Sequence, residues 1–263
     1  MGVAPLVAAA VVAATPVQFV QAHRTADGAY AEAGGTADAA ITAWAVLGLR
    51  AARTDAPGAL EYLQARHDEL AQTTDVALVA LAEQAAGARP EPLLARLRGD
   101  ERPSGQIGPT LNSTYWSVLA LGRSSAATTR FVMRHQAASG GFAWSAGGRP
   151  DSNDTAAALQ ALAVARVRGK PVDRAVRFLL SFHNRDGGFE LTRGRGSDAQ
   201  STAWAIQGLV AGGRKPPRSA FAYLARLRRA DGSYRYSSRY AATPVWVTSQ
   251  VLVALAGRPF PLR

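Results

Sequence analysis

Two carboxylates three residues apart, Asp151 and Asp154, flank Ser152 and Asn153 at the head of an Ala/Leu-rich stretch that runs to Leu162. Carboxylates in this arrangement can serve two ends. Buried, one of them keeps its proton near neutral pH and can act as a general acid. At a helix start, both are favoured by exposed backbone N–H groups and need do no chemistry. Asp198 stands at the place of Asp151 in the following segment. Trp44, Trp116, Trp204 and Trp246 lie in apolar stretches. They could line a cavity and stabilise cations through their π faces, or fill gaps between helices. Phe189 and Trp144, in loops at the rim, could gate such a cavity or fold the loops back. Arg149, Arg193, Arg195, Arg235 and Arg239 fall in the loops before these stretches. Beside helix N-termini they would favour an anion such as diphosphate; alone they make an ordinary solvated surface.

Composition narrows the chemistry. The net charge of +11 is almost all arginine, since Lys170 and Lys215 are the only lysines. No basic run of five residues and no nucleic-acid motif occurs, so no nucleic-acid partner is expected. The absence of cysteine removes disulfides, thiolate zinc sites and cysteine nucleophiles. There is no Walker loop, no Gly-x-Ser-x-Gly elbow and no His-Glu-x-x-His, and no cofactor or metal is expected. No apolar run is long enough to span a bilayer. Residues 1–14 have the length of a signal-peptide core but lack its positive flank, so they read as a leader remnant or as a leading helix. The first reading places the protein outside the cell or on its surface, the second in the cytoplasm.

The stretches that position these residues are repeats. A threonine followed by apolar positions and a closing Gly/Ala-Leu recurs at Thr42, Thr74, Thr114, Thr155, Thr202 and Thr248. The spacings are 32, 40, 41, 47 and 46 residues. Each repeat helix is apolar on most faces, which marks it as buried. Between them lie amphipathic segments such as 59–66, 173–182 and 219–229. Glycine turns at Gly28, Gly105, Gly140, Gly187 and Gly232 are each followed two residues later by Tyr30, Ile107, Phe142, Phe189 or Tyr234; the second repeat lacks this turn. An open solenoid needs polar caps at both ends, and neither the first nor the last repeat helix is polar. The pattern predicts an all-α, α6/α6 toroid of six helical hairpins, one domain over residues 15–263.

These residues carry a family likeness. Gln136-Ala137-Ala138-Ser139-Gly140-Gly141-Phe142, and the variant His183-Asn184-Arg185-Asp186-Gly187-Gly188-Phe189, resemble the turn of the prenyltransferase and squalene-oxidase repeat superfamily. That superfamily includes protein prenyltransferase β-subunits and class II terpene cyclases. Class II cyclases open an inner helix with Asp-x-Asp-Asp-Thr-Ala, whose middle Asp is the general acid. Here Asp151, Ser152, Asn153, Asp154, Thr155 and Ala156 stand in those places, so the middle acid is an amide. An amide supplies no proton, which leaves Asp154 or Asp151 to act as the acid, either one needing a pKa raised by burial. Asp154 is read as that acid, with Asp151 and Asn153 in its hydrogen-bond network. Protein prenyltransferases hold zinc with Asp, Cys and His; with no Cys and with its four His on outer segments, this chain implies no zinc site. The resemblance thus implies a central apolar cavity for an isoprenoid-like hydrophobic ligand; such a ligand is compatible with peripheral membrane contact, and the sequence sets no oligomeric state. The alternative is a secreted, non-catalytic ligand- or protein-binding toroid in which the Asp pair only caps a helix. A chain of 263 residues holds no second helical domain of the kind that accompanies the ring in class II cyclases, which favours that alternative.

Overall fold

The computed structural model describes residues 14–262; the leader or leading helix read for 1–14 lies, but for Ala14, outside them. Twelve α-helices follow one another among the described residues. They are α1 (Pro16–Ala22), α2 (Ala39–Ala51), α3 (Ala59–Gln64), α4 (Thr73–Ala85), α5 (Glu91–Gly99), α6 (Leu111–Leu121), α7 (Ala126–Arg134), α8 (Ser152–Val164), α9 (Lys170–Leu180), α10 (Ala199–Ala211), α11 (Arg218–Leu227) and α12 (Pro244–Leu255). A 3₁₀ turn, His67–Glu69, joins α3 to α4 where the second repeat lacks its glycine turn. No strand forms among these residues; isolated antiparallel bridges such as Arg24–Tyr30 and His183–Phe189 only staple the flanks of the turns.

Even-numbered helices are the inner layer. Their apolar surface leaves them buried all round, as in α8, where Ser152 and the residues from Asp154 to Leu162 are buried. Each packs on the next, α2 on α4 and so on to α10 on α12, and α12 returns onto α2. Odd-numbered helices form the outer layer. In α9, Val172, Ala175, Val176 and Leu179 are buried while Arg177 is exposed, which is the spacing of one helix face. The outer layer closes as well. Gly232, at φ +89, sits so close to the start of α1 that a Cβ there would meet the Thr15 carbonyl oxygen at 2.4 Å. Only glycine suits both that backbone and that approach.

The repeat threonine explains the register. Its hydroxyl accepts the buried backbone N–H of the residue after the glycine turn: Tyr30 to Thr42 (3.0 Å), Ile107 to Thr114 (3.1 Å), Phe142 to Thr155 (2.9 Å), Phe189 to Thr202 (2.9 Å) and Tyr234 to Thr248 (2.9 Å). The loop then crosses the start of the preceding inner helix. Two residues past the turn residue, the carbonyls of Trp144, Leu191 and Tyr236 accept the N–H groups of Asn112, Ser152 and Ala199 at 3.0, 3.1 and 2.7 Å. The same position in the first repeat is Glu32, and it fastens the last helix to the first loop. Its two carboxyl oxygens accept the Val245 and Trp246 N–H groups, both at 2.9 Å. Thr243 offers α12 no side-chain cap, so Glu32 takes up otherwise orphaned donors at a positive helix end.

Replacing Glu32 by Ala should therefore lower stability by about 1–3 kcal/mol, the cost of leaving helix-start donors unpaired. Glu32→Gln should recover part of the loss, as read by thermal or urea melts.

Candidate active site

The N-termini of the inner helices meet at one mouth of the ring, and the cavity there measures about 410 Å³. That lies within the size range of small-molecule sites, roughly 300–1,000 Å³. Its wall carries Asp151, Asn153 and Asp154 from α8 and Trp246 from α12, with Trp144 and Leu191 from the rim loops. Its floor is three tryptophans from alternate parts of the ring. Trp44, Trp116 and Trp204 stand edge to face, with ring centroids 5.7, 6.1 and 5.4 Å apart. Trp204 donates its indole N–H to Gln250 Oε1 at 3.1 Å. Trp144 is 57 % exposed at the entrance.

The two acids differ in their surroundings. Asp151 is the N-cap of α8 and accepts the Asp154 backbone N–H at 2.8 Å. Burial pushes its pKa up, and the helix N–H groups oppose that. Asp154 stands one step inside. It is 5 % exposed, and its Oδ1 accepts the Asn112 side-chain N–H at 2.7 Å. Burial pushes its pKa up to about 8; the negative charge on Asp151 and a hydrogen bond toward it add to the rise, and the Asn112 bond works against it. Burial and the neighbouring charge therefore favour a proton on Asp154, the acid with less help from the helix end. The chemical competence of the site is that of a neutral carboxylic acid sharing a cavity with indole rings.

Asn153 also faces the cavity, half-buried, with its Oδ1 accepting the Ser152 hydroxyl at 3.2 Å. The remaining sequence candidates stand elsewhere. Phe189 is fully buried against His183 and does not line the cavity. Asp198 caps α10, accepting both the Ser201 N–H and its hydroxyl, and together with Arg195 lines a separate polar depression. Burial raises the Asp198 carboxyl, against those bonds. Arg193 lies over the Phe182 ring and donates to Ser181. None of the five loop arginines lines the cavity, so they do not converge on one anion there. The histidines sit just past the outer helices, at the C-caps of α1 and α7, in the 3₁₀ turn and after α9.

Asn112 and Gln200 are cavity residues that the sequence reading passed over. A signal existed. Asn112, Asn153, Gln200 and Trp246 all stand two residues before a repeat threonine, so that register position faces the mouth.

The model of the prenyltransferase alpha-alpha toroid domain family matches residues 103–240, more than half of the sequence, and the chain belongs to that family. Among solved structures it is similar to the type II terpene cyclase MstE from Scytonema, in a variant complexed with geranylgeranyl dihydroxybenzoate. Identity is 15%, coverage 92% of this chain and 94% of that one, and the TM-score 0.70. It is also similar to ent-copalyl diphosphate synthase from Streptomyces platensis, with 22% identity, 83% and 50% coverage and a TM-score of 0.60. A third neighbour is Candida albicans protein geranylgeranyltransferase-I complexed with GGPP, with 12% identity, 82% and 83% coverage and a TM-score of 0.63. No curated protein matches at the sequence level. A single ring spans almost all of the Scytonema cyclase chain, which corrects the expectation that a second helical domain must accompany the ring in a type II cyclase.

The raised Asp154 pKa has a thermodynamic signature. Its folded value of about 8 lies above the unfolded value near 3.9, so the native state holds an extra proton between them. The associated stability is present at low pH and is lost as pH rises from about 4 through 8. Asp154→Asn removes that titration. The variant's melting temperature should fall less than that of the wild type between pH 5 and pH 9, as followed by circular dichroism.

Proposed function

We propose that this protein holds a polyisoprenoid chain in the central cavity and starts its cyclisation by protonation, in the manner of a type II terpene cyclase. The observation that carries this reading is Asp154: a buried acid that keeps its proton at neutral pH and opens onto a tryptophan-walled cavity. The ligands named for the Scytonema and Candida structures both carry a geranylgeranyl chain, which supports the ligand class.

The chemistry follows from the placement. The terminal alkene or epoxide of the ligand takes the Asp154 proton, and the electron pair of its π bond or epoxide oxygen forms the new bond to hydrogen. Asp154 is left as a carboxylate, held by the Asn112 amide. The carbon cation passes along the chain as each alkene attacks it, facing the rings of Trp44, Trp116, Trp204 and Trp246, whose π faces favour positive charge. Loss of a proton from the last cation ends the reaction, and solvent at the mouth returns one to Asp154. The product is an isomer of the substrate. Asp151 caps the helix, and negative charge on it favours the protonated form of Asp154 between turnovers. Asn153 shapes the wall and takes no part in proton transfer.

Asn153, standing where the family carries its acid, favours a second reading: the cavity binds the same ligand without converting it. Incubation with geranylgeranyl diphosphate and with squalene, followed by mass spectrometry, separates the two. Cyclised product from the wild type, falling about 100-fold or more in Asp154→Asn, is the expected result, since a positioned general acid contributes roughly 10²–10⁴-fold. Quenching of tryptophan fluorescence by either compound with no product from either protein would replace catalysis with binding.

A further inference from the structure

The ring has a second mouth, at the C-terminal ends of the inner helices, and the chain that follows α12 enters it. Arg258 donates to the carbonyl of Ala51, the last residue of α2, at 3.3 Å. Pro261 and Leu262 lie in a groove with Gln84, Ala120 and Leu121, at the ends of α4 and α6. Phe260 goes deepest. It is 3 % exposed, and its backbone N–H donates to Gln160 Oε1 at 2.8 Å. Gln160 lies about one turn of α8 beyond Ala157, which lines the cavity. The Phe260 ring stands 6.1, 6.1 and 6.4 Å from Trp44, Trp116 and Trp204. The tryptophan floor thus has ligand space on one side and Phe260 on the other.

We infer that Phe260 is the depth stop of the cavity and determines how long an isoprenoid chain the ring accepts. This rests on the isoprenoid reading above and adds to it the residue that measures length. At the centre of the floor the three indoles meet one another and the Phe260 ring, with one indole hydrogen bond, from Trp204 to Gln250. Interiors are close-packed, so the position of such rings follows the bulk beneath them. A benzyl group is comparable in bulk to one isoprene unit. Trimming it lets the floor descend; enlarging it drives the floor toward the mouth. Direction of change therefore follows the size of residue 260, which is not so for a residue that only stabilises the core.

The test uses the full chain as wild type, Phe260→Leu and Phe260→Trp, each checked for folding by circular dichroism. Farnesol, geranylgeraniol and geranylfarnesol are titrated and tryptophan fluorescence is followed. Relative to wild type, Phe260→Leu should shift preference toward the longest alcohol and Phe260→Trp toward the shortest. Each shift should be about tenfold, the lower end of what one hydrophobic increment in a pocket gives. An unchanged order of preference in both variants, with binding merely weaker, would show that Phe260 only packs the core, while leaving the isoprenoid reading intact. Failure of the wild type to bind any of the three alcohols would overturn the isoprenoid reading and this inference with it.

Discussion

A buried N–H that finds a threonine hydroxyl is the bond from which the ring's geometry follows. Five loops place the first residue after a glycine turn deep in the protein, where its backbone donor has no strand or helix partner. An unpaired donor there costs about 1–3 kcal/mol. The threonine can accept because its own proton goes to the carbonyl four residues earlier, as in Thr155 to Asp151 at 2.6 Å and Thr202 to Asp198 at 2.7 Å. Loop and inner helix are thereby fixed to one another. The next residues must then pass over the start of the neighbouring inner helix, and the cavity mouth is built from what they carry.

That construction gives two neighbouring carboxyls unlike surroundings. Asp151 belongs to the helix start and meets its N–H groups; Asp154 is turned inward and meets an amide side chain from α6. Desolvation acts on both, but only one has a helix end to oppose it. A proton divided unequally between two acids is the outcome. The same inward turn brings the acid to the tryptophans, so acid and aromatic wall come from one register rather than from separate devices.

The threonine register and the glycine turns made the hairpins and the closure of the ring legible in sequence, because each is a local pattern repeated with its physical cause. That the heads of the inner helices line one cavity follows from the same register. What escaped was contact across the ring. Asn112 reaches Asp154 from another helix 42 residues away, and Phe260 reaches three tryptophans from outside the repeat pattern. Register also misled. Asp198 shares the repeat position of Asp151, yet the position of Asp154 is occupied in that repeat by Ser201, which takes both Asp198 oxygens and leaves no second acid. Phe189 holds the position of Phe142 and is core like it. Of the loop arginines, Arg195 and Arg239 both line the polar depression beside Asp198, away from the tryptophan cavity.

Glu32 joins architecture to access. Where three loops clasp their neighbouring helix with a main-chain carbonyl, the first loop does so with a flexible side chain, and one of the two groups it grips is the N–H of Trp246, a wall of the cavity. The junction between the first and last repeats is thus also a side of the pocket. The bond that closes the circle also sets where an indole stands at the mouth of the pocket.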